Sequence, residues 1–425
     1  MGGKWFDHGE RKVFKGVFGR VTRDMCGICG FTGGAGAEVI GRMMRAIEHR
    51  GPDDRGIMRD RDLSMGMVRL SIIDLAGGRQ PMTNEAGDVS LVFNGEIFNY
   101  EDLRLDLERA GHVFATKSDT ETVVHAYEEY GLEFPHRLNG MFAIALWDHG
   151  RKRLLLVRDR FGVKPLYYSI RGQVLVFGSE IKAVLEHPLV DRQIDTTALS
   201  HYLSLRNVPA PFTIYSGIRS LLPGHMLVYQ GGHARTDRWY RLQMAEGNGD
   251  TDEHMLVEKI DFILRDSVRM RMRADVDFGA YLSGGIDSSM VVAIMSEYAN
   301  HRVKTFCLSY ADKPAFKQDA HYARVVAEIH GTEHHEYVMS ASDLQNEVQK
   351  VAHHLDQPFG GVIAPYWLSR YMSRHVTVAL SGDGADDLFA SYGHIRLESA
   401  IAALNRATLE GRKPGSLEFG FFDGR

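Results

Sequence analysis

The chain has 425 residues, enough for two or three domains, and its 50 Lys and Arg against 55 Asp and Glu give a net charge of −5 with histidines neutral. Hydrophobic residues at 44% and charged residues at 25% exclude disordered, collagen-like and coiled-coil classes. The near-even charge has no basic block to attract nucleic acid, and the longest apolar runs, such as Met290–Met295, are too short to span a bilayer.

Residues 1–25 are basic and without period, and are expected as a tail or a mis-set start, because Met25 opens a more ordered pattern. They hold no apolar core of a signal peptide. Three cysteines, Cys26, Cys29 and Cys307, make no disulfide framework, so a cytoplasmic location is expected and Cys307 reads as core. From 26 to 210, short runs at Ser90–Phe93, Phe142–Trp147, Arg153–Val157 and Val174–Phe177 predict strands. A helix is predicted over Thr120–Tyr130, opened by Ser118 with Glu121 in a capping box. That mixture suggests an α/β domain on largely antiparallel sheet. Turn-rich residues 211–250 read as a linker or crossover. From 251 to 425 a helix is predicted over Asp252–Arg273, with a stripe of Leu256, Ile260, Ile263, Leu264 and Val268. Strand and helix then alternate through Phe278–Leu282, Met290–Tyr298, Val303–Leu308, His321–His330, Trp367–Arg374 and Val376–Leu380, the pattern of a doubly wound parallel sheet.

Cys26-Gly-Ile-Cys-Gly30 has three readings. A redox pair wants a strand before it and a helix after, but a polar tail precedes and glycines follow. Zinc wants a second ligand pair at matched spacing, and no second cysteine pair exists. In the third reading Cys26 becomes the first residue after Met25 is removed. Its own α-amine, with an ordinary pKa of about 7.7–8.0, then serves as general base for thiol attack on an amide. Asn94-Gly95 reads as a two-residue hairpin turn, or as an oxyanion hole made by an amide and a backbone N–H. Arg69 is either a surface charge or a fork for an α-carboxylate, Asp119 either a helix-capping group or a partner for an α-ammonium. His49-Arg-Gly-Pro-Asp53 is first of all a turn.

A glycine-rich loop, Ser283-Gly-Gly-Ile-Asp-Ser-Ser289, lies between a predicted strand and helix, where backbone N–H groups can meet an anion. Its other reading is a glycine turn with Asp287 or Ser288 capping the helix. No Gly-x-x-x-x-Gly-Lys-Ser/Thr run occurs, which disfavours work on a γ-phosphate. Ser381-Gly-Asp-Gly-Ala-Asp-Asp387 follows another predicted strand, so its carboxylates are expected at the same sheet edge, as Mg²⁺ bound beside phosphates needs. His334-His335 and His353-His354 are weak metal candidates, since adjacent side chains point apart.

Together, the Cys26–Gly30 run, Arg50-Gly-Pro-Asp53, Arg69-Leu-Ser-Ile-Ile-Asp74, Asn94-Gly-Glu-Ile-Phe-Asn99, Ser118-Asp-Thr-Glu121, Leu138-Asn-Gly-Met-Phe142 and Arg158-Asp-Arg-Phe-Gly-Val-Lys-Pro-Leu166 resemble the glutamine-dependent asparagine synthetase family in order and type. The resemblance implies an N-terminal-nucleophile glutaminase of α/β/β/α layers, then an ATP-pyrophosphatase domain on a doubly wound parallel sheet. It implies Cys26 as nucleophile and Asn94 and Gly95 as oxyanion hole, with Arg69, Asn94, Glu96 and Asp119 holding glutamine. It also implies ATP on Ser283, Gly284, Gly285, Asp287, Ser288, Ser289, Ser381 and Gly382, Mg²⁺ on Asp287 and Asp386, and Asp383 in adenylation and amidation. The implied substrates are glutamine, aspartate and ATP, and a homodimer is left open.

The resemblance runs from Met25 to about Tyr392. Asp356–Pro365 looks shorter than the family's segment, and Asp387, Ala390 and Ser391 stand where Glu, Gly and Gly are common. The family's later helical region, with its lysine-bearing segment, has no counterpart here, so a truncated second domain is expected. The leading expectation is asparagine synthesis through a β-aspartyl-adenylate, with ATP cleaved to AMP and pyrophosphate. Alternatives are an amidotransferase acting on another carboxylate, as in exopolysaccharide or peptide metabolism, and a shortened chain that keeps only glutaminase or binding function. A tRNA-acting enzyme with the same phosphate loop is opposed by the charge balance.

Overall fold

In a computed structural model the described residues are 25–34, 36–243, 252–311, 317–359, 363–389 and 391–392. The chain begins with strand β1 (Gly27–Thr32), helix α1 (Ala37–Ala46) and strands β2 (Asp54–Arg59), β3 (Leu63–Arg69), β4 (Met82–Thr83) and β5 (Val89–Ile97). Helices α2 (Tyr100–Arg109) and α3 (Asp119–Tyr130) follow, then strands β6 (Gly140–Asp148), β7 (Arg153–Arg158), β8 (Tyr167–Arg171) and β9 (Val174–Gly178). After α4 (Ile181–Val184) and α5 (Thr196–Leu205) come β10 (Arg219–Ser220), β11 (His225–Gln230), β12 (His233–Arg238) and the long α6 (Glu253–Arg271).

Twelve of these strands make two six-stranded antiparallel sheets, ordered β10-β8-β9-β1-β3-β2 and β12-β11-β7-β6-β5-β4. Period-two alternation assigns each strand two faces. On β5, Leu91, Phe93 and Ile97 join Leu107 and Val123 in a core under α2 and α3, while Val92 joins Ile28, Met65 and Phe177 between the sheets. On the far side of the first sheet, Val39, Ile40, Met43 and Met44 recur at helical spacing on α1 and pack with Phe31 and Ile181. Three apolar seams therefore separate four layers, α/β/β/α, as expected. Burying each such side chain contributes about 1.5–3 kcal/mol.

Beyond α6 the order is β13 (Phe278–Tyr281), α7 (Ile286–Tyr298), β14 (Lys304–Tyr310), α8 (Lys317–Ile329), β15 (Glu333–Met339), α9 (Ala341–Leu355), α10 (Ile363–Met372), β16 (Val378–Leu380) and α11 (Ala385–Leu388). Their strands form a sheet ordered β15-β14-β13-β16, with β13 and β14 parallel. The described residues divide into two compact units, one from those within 25–278, 310–311 and 337–378, the other from those within 279–309, 317–336 and 379–392. Among them no helix is long and apolar enough to cross a membrane.

Several local features differ from the sequence reading. Asn94 and Gly95 form no hairpin turn; they lie inside β5, opposite Ala143 and Phe142 of β6. A Cβ on Gly95 would sit 2.1 Å from the Met141 carbonyl oxygen, so glycine is required there by close strand approach and not by a turn. Ser118 caps α3 by accepting from Thr120 N, but the capping box does not close, because Glu121 accepts instead from Ala115 N and Thr116 N, each at 2.7 Å. Of residues 211–250, expected as a linker, 219–238 supply β10 to β12 and pair within the two sheets. The apolar stripe on α6 buries Val268 alone, leaving Leu256, Ile260 and Ile263 exposed. Residues 1–24, Ala390 and 393–425, on which expectations about the tail and the C-terminus rest, lie outside the described residues.

Candidate active site

Cys26 stands at the head of β1, half-buried against the core between the sheets. Its thiol donates to the Leu70 carbonyl at 3.4 Å, and its own carbonyl accepts from Arg50 Nε at 3.0 Å. Burial pushes the thiol pKa up, against the pull of Lys164, Arg69 and Arg50. Cys29 is different: it is fully buried inside β1, and burial alone drives its thiol far above the ordinary range, which suits a core residue and not a redox partner.

Leu70 begins a loop fastened from inside. Arg69 donates from Nη2 to the Ile73 and Asp74 carbonyls, at 3.0 and 2.8 Å, and from Nη1 to Leu75 O at 3.2 Å. Three of its five N–H groups thus close the loop, and two take no part in these bonds. Asp53 accepts from Ser71 N, and Asp74 accepts from Gly77 N and Lys117 N.

Alternation along β5 gives Asn94 and Glu96 the same face as Val92, toward the inter-sheet core on which Cys26 packs. Asn94 is 1% exposed, yet neither its amide nitrogen nor its amide oxygen has a hydrogen-bond partner. Asp119, at the first turn of α3, accepts from Ile97 N at 3.0 Å. Its carboxyl rises to about 6 through burial, opposed by that bond and by Arg69, while Glu96 rises to about 7 through burial and Asp119, opposed by Lys164 and Arg271. Lys164 is itself buried, which lowers its pKa, and Glu96 is its largest favourable charge. The fold therefore brings Cys26, Asn94, Gly95, Glu96, Asp119 and Arg69 to one end of the sandwich.

In the second unit, Ser283-Gly284-Gly285 joins β13 to α7, with Gly285 at the N-cap. Neither Asp287 nor Ser288 caps the helix. Ser288 Oγ instead holds the loop, meeting Ser283 Oγ at 3.0 Å, accepting from Ser283 N and donating to Gly285 O. Gly284 has φ +81°, and a Cβ there would strike the Tyr322–Ala323 backbone. Ser289 Oγ is buried without a partner. A Cβ on Gly382 would fall 2.8 Å from Ser288 N and 2.9 Å from Asp287 Cβ, so the loop after β16 lies directly on the loop after β13. There Ser381 Oγ donates to Asp383 and Ser391 Oγ to Asp386 at 2.6 Å.

Comparison with known proteins agrees with both halves. The glutamine amidotransferase domain family matches residues 25–240, and the asparagine synthase family matches residues 259–418. The chain is 33% identical over 395 residues to putative asparagine synthetase [glutamine-hydrolyzing] 2 of Methanocaldococcus jannaschii, covering 87% of this chain and 76% of that one. It belongs to the glutamine-hydrolysing asparagine synthetase family. Asparagine synthetase [glutamine-hydrolyzing] 1 of Bacillus subtilis is 36% identical over 371 residues, and a putative Mycobacterium bovis asparagine synthetase is 37% identical over 397. This chain spans 58% and 60% of the length of those two relatives.

Within this family member the sequence reading passed over Lys164, Arg50 and Glu180. Lys164 lies in the Arg158–Leu166 motif, but its inward placement comes from Asp159, which accepts from Lys164 N, Val163 N, Phe161 N and Phe142 N. Arg50 Nη1 donates to Glu180 at 2.9 Å, an ion pair across 130 residues that no local spacing announces.

Proposed function

We propose that this chain hydrolyses glutamine at Cys26 and uses the ammonia to amidate aspartate at the phosphate loops of the second unit. We read the glutaminase half as running from Cys26 through β12 and the synthetase half as beginning near α6. The observation that carries the first half is the Asn94 amide, buried with no partner on the face it shares with Cys26. Leaving such a group unpaired costs about 1–3 kcal/mol, and a substrate oxygen arriving there recovers that cost.

Once the chain begins at Cys26, the thiol proton passes to the α-amine and the thiolate attacks the glutamine side-chain carbonyl. Negative charge developing on the carbonyl oxygen is met by Asn94 Nδ2 and the Gly95 N–H. Collapse breaks the C–N bond, the α-ammonium returns its proton, and ammonia leaves. Water then hydrolyses the thioester to glutamate. The other two N–H groups of Arg69 take the α-carboxylate, and Glu96 and Asp119 take the α-ammonium.

In the second half, the aspartate β-carboxylate displaces pyrophosphate from ATP, giving a β-aspartyl-adenylate, and ammonia then displaces AMP to leave asparagine. Gly284 and Gly382 keep the two loops free of side-chain bulk, and the unpartnered Ser289 Oγ supplies a donor for phosphate. Asp287, in the first turn of α7, and Asp386, in the first turn of α11, are hard oxygen donors just after the two phosphate loops, which fits Mg²⁺; bound there, the ion would neutralise phosphate charge. Ser283, Gly285, Ser288 and Ser381 complete the phosphate-facing loops, and Asp383 stands beside them for the adenylation step.

The test uses the chain begun at Cys26, with ATP, Mg²⁺ and aspartate, and follows pyrophosphate and asparagine. Glutamine and ammonium should both support formation, and Cys26→Ala should abolish only the glutamine-driven reaction. No aspartate-dependent pyrophosphate release with ammonium would remove the synthetase assignment. Release driven by a different acid would reassign the acceptor. Glutamine hydrolysis surviving in Cys26→Ala would remove the nucleophile assignment.

A further inference from the structure

Away from these sites, two imidazoles and a carboxylate converge on the helical face of the first unit. Helix α2 ends with Gly111 at φ +106°, and His112 N returns to Leu107 O at 3.1 Å, a glycine-terminated helix end that turns His112 toward α3. On α3, His125 and Glu128 are three residues apart and share a face. His125 Nδ1 lies 2.8 Å from Glu128 Oε2, and His112 Nδ1 lies 3.9 Å from the same oxygen. One ligand atom from each of the three falls within 4.8 Å of the others.

We propose that His112, His125 and Glu128 form a structural site for a divalent transition-metal ion, of which zinc is the best fit. Zinc–ligand distances of about 2.0–2.2 Å set ligand-to-ligand edges near 3.3 Å, between the 2.8 and 3.9 Å seen here, so small side-chain movements complete the shell.

The surroundings are those of metal-ligating histidines, each with a carboxylate at its remote nitrogen. His112 Nε2 is 3.4 Å from Glu129, and His125 Nε2, buried without a hydrogen-bond partner, is 3.7 Å from Glu121. Asn84 Nδ2 donates to the other Glu128 oxygen at 2.7 Å and so orients it. Glu85, with Oε2 3.9 Å from His125 Nδ1 and Oε1 accepting from Val113 N, lies beside the cluster but outside the three ligand atoms that fall within 4.8 Å of one another, which leaves the fourth position to water. Among the described residues, the ion-pair partners of Glu128, Glu129, Glu121 and Glu85 are these two imidazoles, so a dication relieves an excess of negative charge. The consequence is a staple between the end of α2 and the body of α3.

The test titrates the chelator-stripped full chain with Zn²⁺ by calorimetry and with Co²⁺ by visible absorption. One equivalent should bind, raise the thermal midpoint, and give tetrahedral Co²⁺ bands without thiolate charge transfer. H112A and E128Q should each weaken binding at least tenfold, and E129Q about tenfold. Cys26→Ser and the surface control His136→Ala should leave Zn²⁺ and Co²⁺ binding unchanged. Circular dichroism of each stripped variant separates lost ligation from lost fold, with H112Q replacing H112A should the latter unfold. No saturable binding, binding that survives both H112A and E128Q, or thiolate bands lost in Cys26→Ser would each overturn the proposal.

Discussion

Glu96 and Asp119 sit where burial makes ionisation costly, with carboxyls pushed up to about 7 and about 6. A cationic ligand group reverses that cost, because it favours the ionised form of both. Glutamine should therefore bind more tightly as pH rises from 5 to 8. Equilibrium titrations with Cys26→Ala would show this free of turnover, and a pH-independent affinity would remove the two carboxylates from the ligand site. The same shifts act on stability with opposite sense. A carboxyl whose folded pKa lies above its unfolded value of about 4 contributes stability fully present below that value and lost as pH rises through the folded pKa. The unliganded protein should lose up to about 4 kcal/mol between pH 5 and 8 from this source, the larger share from Glu96, and Glu96→Gln should flatten that slope in thermal melts.

The turn from β7 to β8 shows how an element can be organised by one side chain. Asp159 is 1% exposed and its carboxylate accepts four backbone N–H groups, one of them from Phe142 on β6. Arg158 closes the same turn by donating to the carbonyls of Gly162, Lys164 and Leu221. Asp159→Ala would orphan several buried donors at once, and a loss of about 3–5 kcal/mol is expected by denaturant unfolding, with glutaminase activity falling as Lys164 is released. The bonds to Phe161, Val163 and Lys164 are those of a local turn, but the Phe142 N–H reaches Asp159 only after β6 and β7 pair, which spacing does not display. The strands at Phe142–Trp147, Arg153–Val157 and Val174–Phe177 were legible because apolar content alone specifies them. Strand β1 was hidden by its glycines, and Asn94-Gly95 carried a strong turn signal that pairing with β6 overrode. The motif residues around Cys26 were legible as types in order, while the orphaned Asn94 amide and the elevated Glu96 and Asp119 carboxyls are products of burial, which a linear string does not display.

At the scale of the molecule, the first compact unit draws residues from both family regions. Arg273 donates to Phe98 O and pairs with Glu101, each at 3.0 Å, and Asp275 accepts from Asp74 N at 2.9 Å in the loop that carries Leu70. A longer-range connection runs from Cys26 O to Arg50, to Glu180, to Lys182 and on to Asp356 at the end of α9. Burial opposes the ionisation of Glu180, but its hydrogen bond with His49 and the charges of Arg50 and Lys182 outweigh that and hold it well below the usual carboxylate range. Asp356 is shifted the other way, pushed up by burial against the pull of Lys182. Such a chain positions the Cys26 backbone from a residue 330 places away in sequence. Removing one end leaves Lys182 buried with a single carboxylate, and breaking buried pairs of this kind costs up to about 3–5 kcal/mol. Because Glu180 remains, Asp356→Ala should destabilise by about 1–3 kcal/mol and lower kcat/KM for glutamine several-fold. The pair Lys152–Asp62 is the contrast: with side chains 69% and 41% exposed, its loss should cost well under about 1 kcal/mol and leave hydrolysis unchanged. Thermal unfolding and glutamine hydrolysis of Asp356→Ala and Asp62→Ala decide the matter. Equal, small effects would mean that the network ending at Asp356 does not support the Cys26 site, and would leave the bonds of Arg273 and Asp275 as the polar ties between the first unit's two family regions.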